Sequence, residues 1–190
     1  MKHRLLMLLS AGLLATTGLA LAGRLNISTA SADTPPSTSC SLTGTASFSP
    51  PLGLSNKTTT VKIKADLSGC SSNPYGITGG TIKGSGSGLA TCNPSVTDGP
   101  LTSNGTIKWV GVPKVKGEKA VSTEMSTSTA VPDSSPPSNT LSGEITGGYP
   151  VPAGTATSGS TTYTITSSTQ SECIAGKLKK LSFTGNTTTG

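Results

Sequence analysis

From Val61 onward the chain alternates strictly between apolar and polar positions. Val61, Ile63, Ala65 and Leu67 interleave with Lys62, Lys64, Asp66 and Ser68. A period of two marks a β-strand with one buried face. Ile107 and Trp109 repeat the pattern around Lys108, and Val121, Thr123 and Met125 repeat it around Ser122 and Glu124. Leu141 and Ile145 flank Gly143, Tyr163 and Ile165 flank Thr164, and Leu181 and Phe183 flank Ser182. Turn-forming clusters separate these runs, among them Ser49-Pro50-Pro51, Asp98-Gly99-Pro100 and Pro132 to Asn139. No stretch beyond the N-terminus holds a 3.6-residue period. The pattern predicts an all-β protein of eight or nine short antiparallel strands. An immunoglobulin-like β-sandwich is the first architecture to expect and a closed β-barrel the second. In this phasing Asp66, Glu124 and Glu144 fall on the solvent side, and Phe48, Trp109, Tyr163 and Phe183 on the core side.

The first residues do not belong to that pattern. Met1-Lys2-His3-Arg4 is a basic start, Leu5 to Gly23 is an apolar run, and Ala20-Leu21-Ala22 and Ala30-Ser31-Ala32 are small-residue cleavage sites. Together they read as a secretory signal peptide over residues 1–32. Residues 33–39 read as a flexible Pro/Ser/Thr tether, and residues 40–190 as a single domain. The expected product is secreted and extracellular, with no membrane span after cleavage. Its lysines allow association with the anionic polymers of a cell wall.

Composition sharpens this. Of the 14 Lys and Arg, the 8 Asp and Glu and the single His in the 190 residues, the signal takes both Arg and the His. The chain beyond residue 32 has 11 lysines, 8 acids, no Arg and no His, and 55 of its 158 residues are Ser or Thr. A histidine-based triad, a histidine metal site and an arginine clamp on phosphate are therefore excluded. The S-x-x-K and G-x-S-x-G arrangements are absent. The acids are too sparse for a calcium loop. No catalytic residue, metal site or cofactor is expected, and the chain reads as a non-enzyme. Without Arg or a row of stacking aromatics, nucleic acid is not an expected partner.

Cys40, Cys70, Cys92 and Cys173 are an even set in an exported domain, which implies two disulfides. If Cys40–Phe48 and Thr58–Leu67 form a hairpin around Pro50-Pro51, Cys40 and Cys70 fall at the same end of it. Neighbouring strand ends satisfy the Cα separation of under about 7 Å that a bridge requires. That leaves Cys92 with Cys173.

Gly84, Gly86 and Gly88 occupy alternate positions of one run, so one face there carries no side chains. Either a bulky neighbour such as Trp109 fills the space or the space is a cleft. Gly84, Gly86, Gly88 and Trp109 are thus the candidate ligand contacts. Tyr75 and Tyr149, beside Pro74 and Pro150, are candidate exposed aromatics, and the lysines at 108, 114, 116 and 119 and at 177, 179 and 180 form two basic clusters.

The phrases Cys40-Ser-Leu-Thr-Gly-Thr-Ala-Ser-Phe-Ser-Pro-Pro-Leu-Gly-Leu54, Leu67-Ser-Gly-Cys70 and Ile77-Thr-Gly-Gly-Thr-Ile-Lys-Gly-Ser-Gly-Ser-Gly-Leu-Ala-Thr-Cys92 resemble a family of exported, β-rich actinobacterial proteins without established activity. That resemblance implies an all-β secreted domain and carries no catalytic residues. Leu54 to Ile63 and Ala90-Thr-Cys-Asn-Pro94 are similar to the enediyne-binding apoproteins, secreted β-sandwich carriers of chromophores. The cysteine gaps of 30, 22 and 81 positions depart from that family's short-loop pairing. Two functions stand as expectations. One is a secreted binding or structural protein at the cell surface, meeting a cell-wall polymer. The other is a carrier of a small hydrophobic molecule in a cleft beside the glycine face.

Overall fold

The computed structural model describes residues 37–71, 74–93 and 99–190. The expected signal peptide and residues 33–36 of the expected tether lie outside the described residues. The chain forms β1 (Thr38–Leu52), β2 (Lys57–Ser71), β3 (Gly79–Ala90), β4 (Leu101–Val110), β5 (Val121–Ala130), β6 (Ser138–Gly148), β7 (Ala156–Thr164), the helix α1 (Ser167–Ile174) and β8 (Leu178–Thr189). Every strand pairs antiparallel with the next, and β8 returns to pair with β1. The result is a closed up-and-down barrel. The all-β antiparallel class is the one the alternation implies, and of its two architectures the barrel is formed. The immunoglobulin-like sandwich is corrected by one ladder, in which Thr38 meets Thr189 and Ala46 meets Leu181. A sandwich needs two sheets with free edges; here the edges of β1 and β8 satisfy each other.

Ring closure also moves the domain boundary. Thr38 and Ser39 pair with Thr189 and Thr188, and the Thr38 side chain is buried, so both belong to β1 and not to the expected tether.

Closing eight strands demands strong coiling, and glycines at interior positions supply it. A Cβ at Gly86 would fall against the carbonyl oxygen of Thr102 and the Cα of Ser103 on β4. A Cβ at Gly185 on β8 would fall against the backbone of Ser160 and Thr161 on β7. At both places the neighbouring backbone occupies the space a side chain would need.

The two ends of the barrel differ. At one end the β2–β3, β4–β5 and β6–β7 connections fold over the interior. Ile77, Ile145 and Val151 are fully buried there, and Trp109 donates its Nε1 hydrogen to Ser122 Oγ at 2.9 Å. This plug gives the indole NH a partner and closes the barrel. The other end is bounded by the β1–β2, β3–β4 and β5–β6 connections and by α1. Thr166 caps α1: its side chain accepts from the Thr169 N–H, and the Thr169 side chain accepts from the Thr166 N–H. This box fixes a helix of only eight residues, too short and too polar to show a helical period in the sequence.

One disulfide sits at each end, with the pairing the hairpin argument requires. Cys40–Cys70 ties the start of β1 to the end of β2 at the closed end. Cys92–Cys173 ties the β3–β4 connection to α1 at the open end. The described residues contain no free cysteine, as expected of a domain that folds in an oxidising compartment.

Two expected outcomes test this architecture. Replacing Gly86 with Ala lowers stability in urea unfolding by roughly 1–3 kcal/mol, because even a methyl group displaces the β4 backbone. Replacing Cys92 and Cys173 together by Ala lowers it by roughly 2–5 kcal/mol through the freed unfolded chain.

Candidate functional site

The barrel is not filled. β1, β2, β3 and β8 line it with the large apolar side chains of Phe48, Val61, Ile63, Ile82, Leu181 and Phe183. β4, β5, β6 and β7 line it with Ser103, Glu124, Ser126, Ser128, Asn139, Thr157 and Thr161, beside Leu101, Leu141 and Tyr163. Small residues on one side leave a cavity of about 650 Å³ that opens between α1 and the β5–β6 connection. That lies within the roughly 300–1,000 Å³ typical of small-molecule sites. The wall therefore has two chemistries: one half aliphatic and aromatic, the other rich in hydroxyls with a few apolar side chains among them.

The polar half is internally ordered. Ser103 Oγ and Ser126 Oγ lie 3.0 Å apart and share a hydrogen bond. Asn139 donates from Nδ2 to Ser128 Oγ at 2.7 Å and to the Tyr163 hydroxyl at 3.4 Å. Tyr163 packs edge-on against Phe183, with ring centroids 6.1 Å apart, where the two half-walls meet. Thr157 donates to Glu124 Oε1 at 2.8 Å.

Glu124 lies deepest of the charged groups. In the ladders it pairs with Gly105 on β4 and Ile145 on β6, one step above the Ser122 that receives the Trp109 bond. The β5–β6 register shifts beside it, between Thr123 and Glu124. A bulge of this kind re-aims a side chain relative to its neighbours. Burial pushes the Glu124 carboxyl above the ordinary carboxylate range, and the Thr157 hydrogen bond offsets this only in part. Among the described residues lining the cavity, the charged ones are Glu124 and, at the mouth, Asp133; none is basic.

The mouth is ringed by apolar side chains that face solvent. Leu54, Leu89, Ile165 and Ile174 are 47–66% exposed, and Val131 completes the ring. Leu89 ends β3 and the others come from the β1–β2, β5–β6 and β7–β8 connections, with Cys92–Cys173 holding α1 in place beside them.

The sequence-predicted site residues are distributed differently. Gly84, Gly86 and Gly88 lie at the interior phase of β3, between Ile82 and Ala90, yet none lines the cavity, because the β4 backbone closes over them. Trp109 is opposite Gly80, at the plugged end, and does not cover the three glycines. At the glycine row the β4 backbone thus stands where a cleft or an indole would have to be. Gly84 nevertheless shares a row with Gly105 and Glu124 across the β3–β4 and β4–β5 ladders. The phase of β5 is the reverse of the expected one. Ser122, Glu124, Ser126 and Ser128 point inward, and Met125 is exposed. A strand whose interior side chains line a polar wall inverts the usual hydropathy pattern, and Glu124 escapes notice for that reason. Tyr75 packs against the main core, and Tyr149 donates to the Pro113 carbonyl oxygen at 3.3 Å, so neither belongs to the mouth.

The lysines stay outside. Lys62, Lys64, Lys83, Lys108, Lys179 and Lys180 are exposed on β2, β3, β4 and β8, whereas β5, β6 and β7 have none. Among the described residues no group of acids, cysteines or histidines is placed to hold a metal ion, and no helix is long and apolar enough to cross a membrane.

The position of Glu124 has a measurable effect on the ligand-free protein. Folding disfavours its ionised form, so the unfolded chain releases this proton at a lower pH than the folded one does. Its contribution to stability therefore falls as pH rises from the ordinary carboxyl range through the raised value, and stays lowered at neutral pH. Glu124→Gln keeps an acceptor for Thr157 and removes the penalty. It is expected to stabilise the protein in denaturant unfolding near pH 7, with the advantage shrinking toward pH 4.

No protein-family model, curated protein or solved structure matches this chain, so the reading of the site rests on its own geometry.

Proposed function

We propose that the protein is a secreted, non-enzymatic carrier that takes one small, largely apolar molecule into its barrel. The observation that carries this is the cavity of about 650 Å³, closed at one end by the Trp109 plug and open at the other through an apolar ring. An unfilled interior costs dispersion energy that a bound molecule restores. Eight strands give an interior just wide enough to hold one small ligand. The exposed leucines and isoleucines at the mouth offer an apolar molecule a path that is never fully wetted. Two disulfides suit an extracellular setting, and the N-terminal pattern of residues 1–32 supplies the export signal. The carrier function that the sequence places in a cleft at Gly84, Gly86 and Gly88 belongs instead to the barrel interior.

One observation favours a second role, in contact with an anionic cell-wall polymer. Lys64 and Lys83 face each other directly across the β2–β3 ladder. Like charges so placed repel, and a polyanion laid along this side of the barrel would relieve them. The two roles use different surfaces.

The carrier reading is tested with N-phenyl-1-naphthylamine, a neutral apolar fluorophore. Saturable binding at one molecule per chain is expected, with a rise in melting temperature. Ser126→Trp places an indole in the cavity and is expected to weaken binding at least about tenfold while circular dichroism stays unchanged. Absence of saturable binding to the folded protein refutes the carrier reading.

A further inference from the structure

We propose that the cavity is built for an amphiphilic amine, an apolar body bearing one protonated nitrogen, with Glu124 as the counter-ion at its floor. The inference rests on the carrier reading and names the class of molecule carried.

The distribution of charge is the first support. Eleven lysines lie beyond residue 32 in the sequence, and none of them lines the cavity. The charged groups among the described lining residues are Asp133, in the β5–β6 connection at the mouth, and Glu124, deep on β5. A basic protein has therefore kept a cation-free interior with one carboxyl at its floor and another at its entrance. A protonated amine gains at both points, first at the mouth and then at depth.

The neighbours of Glu124 supply little to a carboxylate. Its partners in the adjoining ladders, Gly105 and Ile145, have no polar side-chain atoms. Thr157 donates one hydrogen bond, to Oε1. From the opposite half of the barrel come Ile63, Ile82 and Phe183, which carry no charge. A carboxylate at this position has given up water and gained one hydroxyl. A cation within the cavity would return what burial removes, since charge-assisted hydrogen bonds are roughly twice as strong as neutral ones.

The same wall separates an amine from a neutral polar group. A ligand whose head is a ketone, ester or alcohol needs donors and acceptors, and Ser103, Ser126, Ser128, Asn139 and Thr161 provide them along the whole polar half. For such a ligand a buried acid adds cost without adding a new kind of contact. Only a cation uses what Glu124 has and the hydroxyls lack. An anionic head is repelled at the mouth and again at the floor. The apolar half-wall, with Phe48, Val61 and Phe183, then takes the body of the molecule.

The test compares decylamine, decanol and decanoic acid at monomeric concentrations near pH 7, by displacement of the naphthylamine probe and by calorimetry. Decylamine is expected to bind at least about tenfold more tightly than decanol, and decanoic acid more weakly than both. Glu124→Gln, which preserves shape and the Thr157 bond, is expected to abolish the preference for the amine over decanol. Asp133→Asn is expected to keep most of the preference. Equal or weaker binding of the amine by the unmodified protein overturns the proposal and leaves the carrier reading standing. So does a preference that survives in Glu124→Gln or is lost instead in Asp133→Asn. Binding of none of the three, together with no binding of the probe, overturns the carrier reading and this inference with it.

Discussion

The ladder between β1 and β8 is the constraint on which the remaining architecture depends. Its pairs run from Thr38 with Thr189 to Ser47 with Lys180, and resume at Leu52 with Leu178. Without it the chain is a seven-ladder meander with two exposed edges, a template for pairing with other chains. With it every strand has two neighbours, and the sheet has an inside. The interior residues of β1 and β8, among them Leu42, Ala46, Leu181 and Phe183, then become the apolar half of a cavity rather than one face of an open layer.

Closure sets the glycine pattern, and the glycine pattern sets where the cavity lies. Gly86 and Gly185 let adjacent backbones come closer than side chains permit. The sheet is drawn in along β3–β4 and β7–β8, and the space remains over the serines of β5 and the threonines of β7. There the interior is lined by groups too small to meet across it.

Sequence and structure agree best where hydropathy reports burial directly. β2 alternates lysine with valine, isoleucine and leucine, and its strand position, its phase and the Cys40–Cys70 bridge are all legible. The choice between sandwich and barrel is not, because it turns on contacts between β1 and β8, at opposite ends of the domain's sequence, where half of the paired residues are threonine or serine. Helix α1 is invisible, since eight mostly polar residues held by a threonine capping box leave no periodic trace. Glu124 is hidden for a related reason. In an alternating strand an acid between Thr123 and Met125 looks solvated, and only a polar cavity makes the inward face the hydrophilic one. The glycine row stands out in the sequence, but its side-chain space is taken by the β4 backbone, and Glu124, which shares a row with Gly84, lies two strands away.

The up-and-down connectivity also carries a consequence in time. Seven of the eight ladders join strands adjacent in the chain, so they can form by local hairpin closure as each strand becomes available. The eighth joins the first strand to the last and costs loop-closure entropy across nearly the whole domain. Until β8 is seated, β1 is paired on one edge alone, with β2, and the interior is an open trough. Enclosure of the cavity is therefore the terminal event of folding. A ligand present in the compartment during that interval meets the protein as a curved sheet, before it meets it as a vessel with a single mouth.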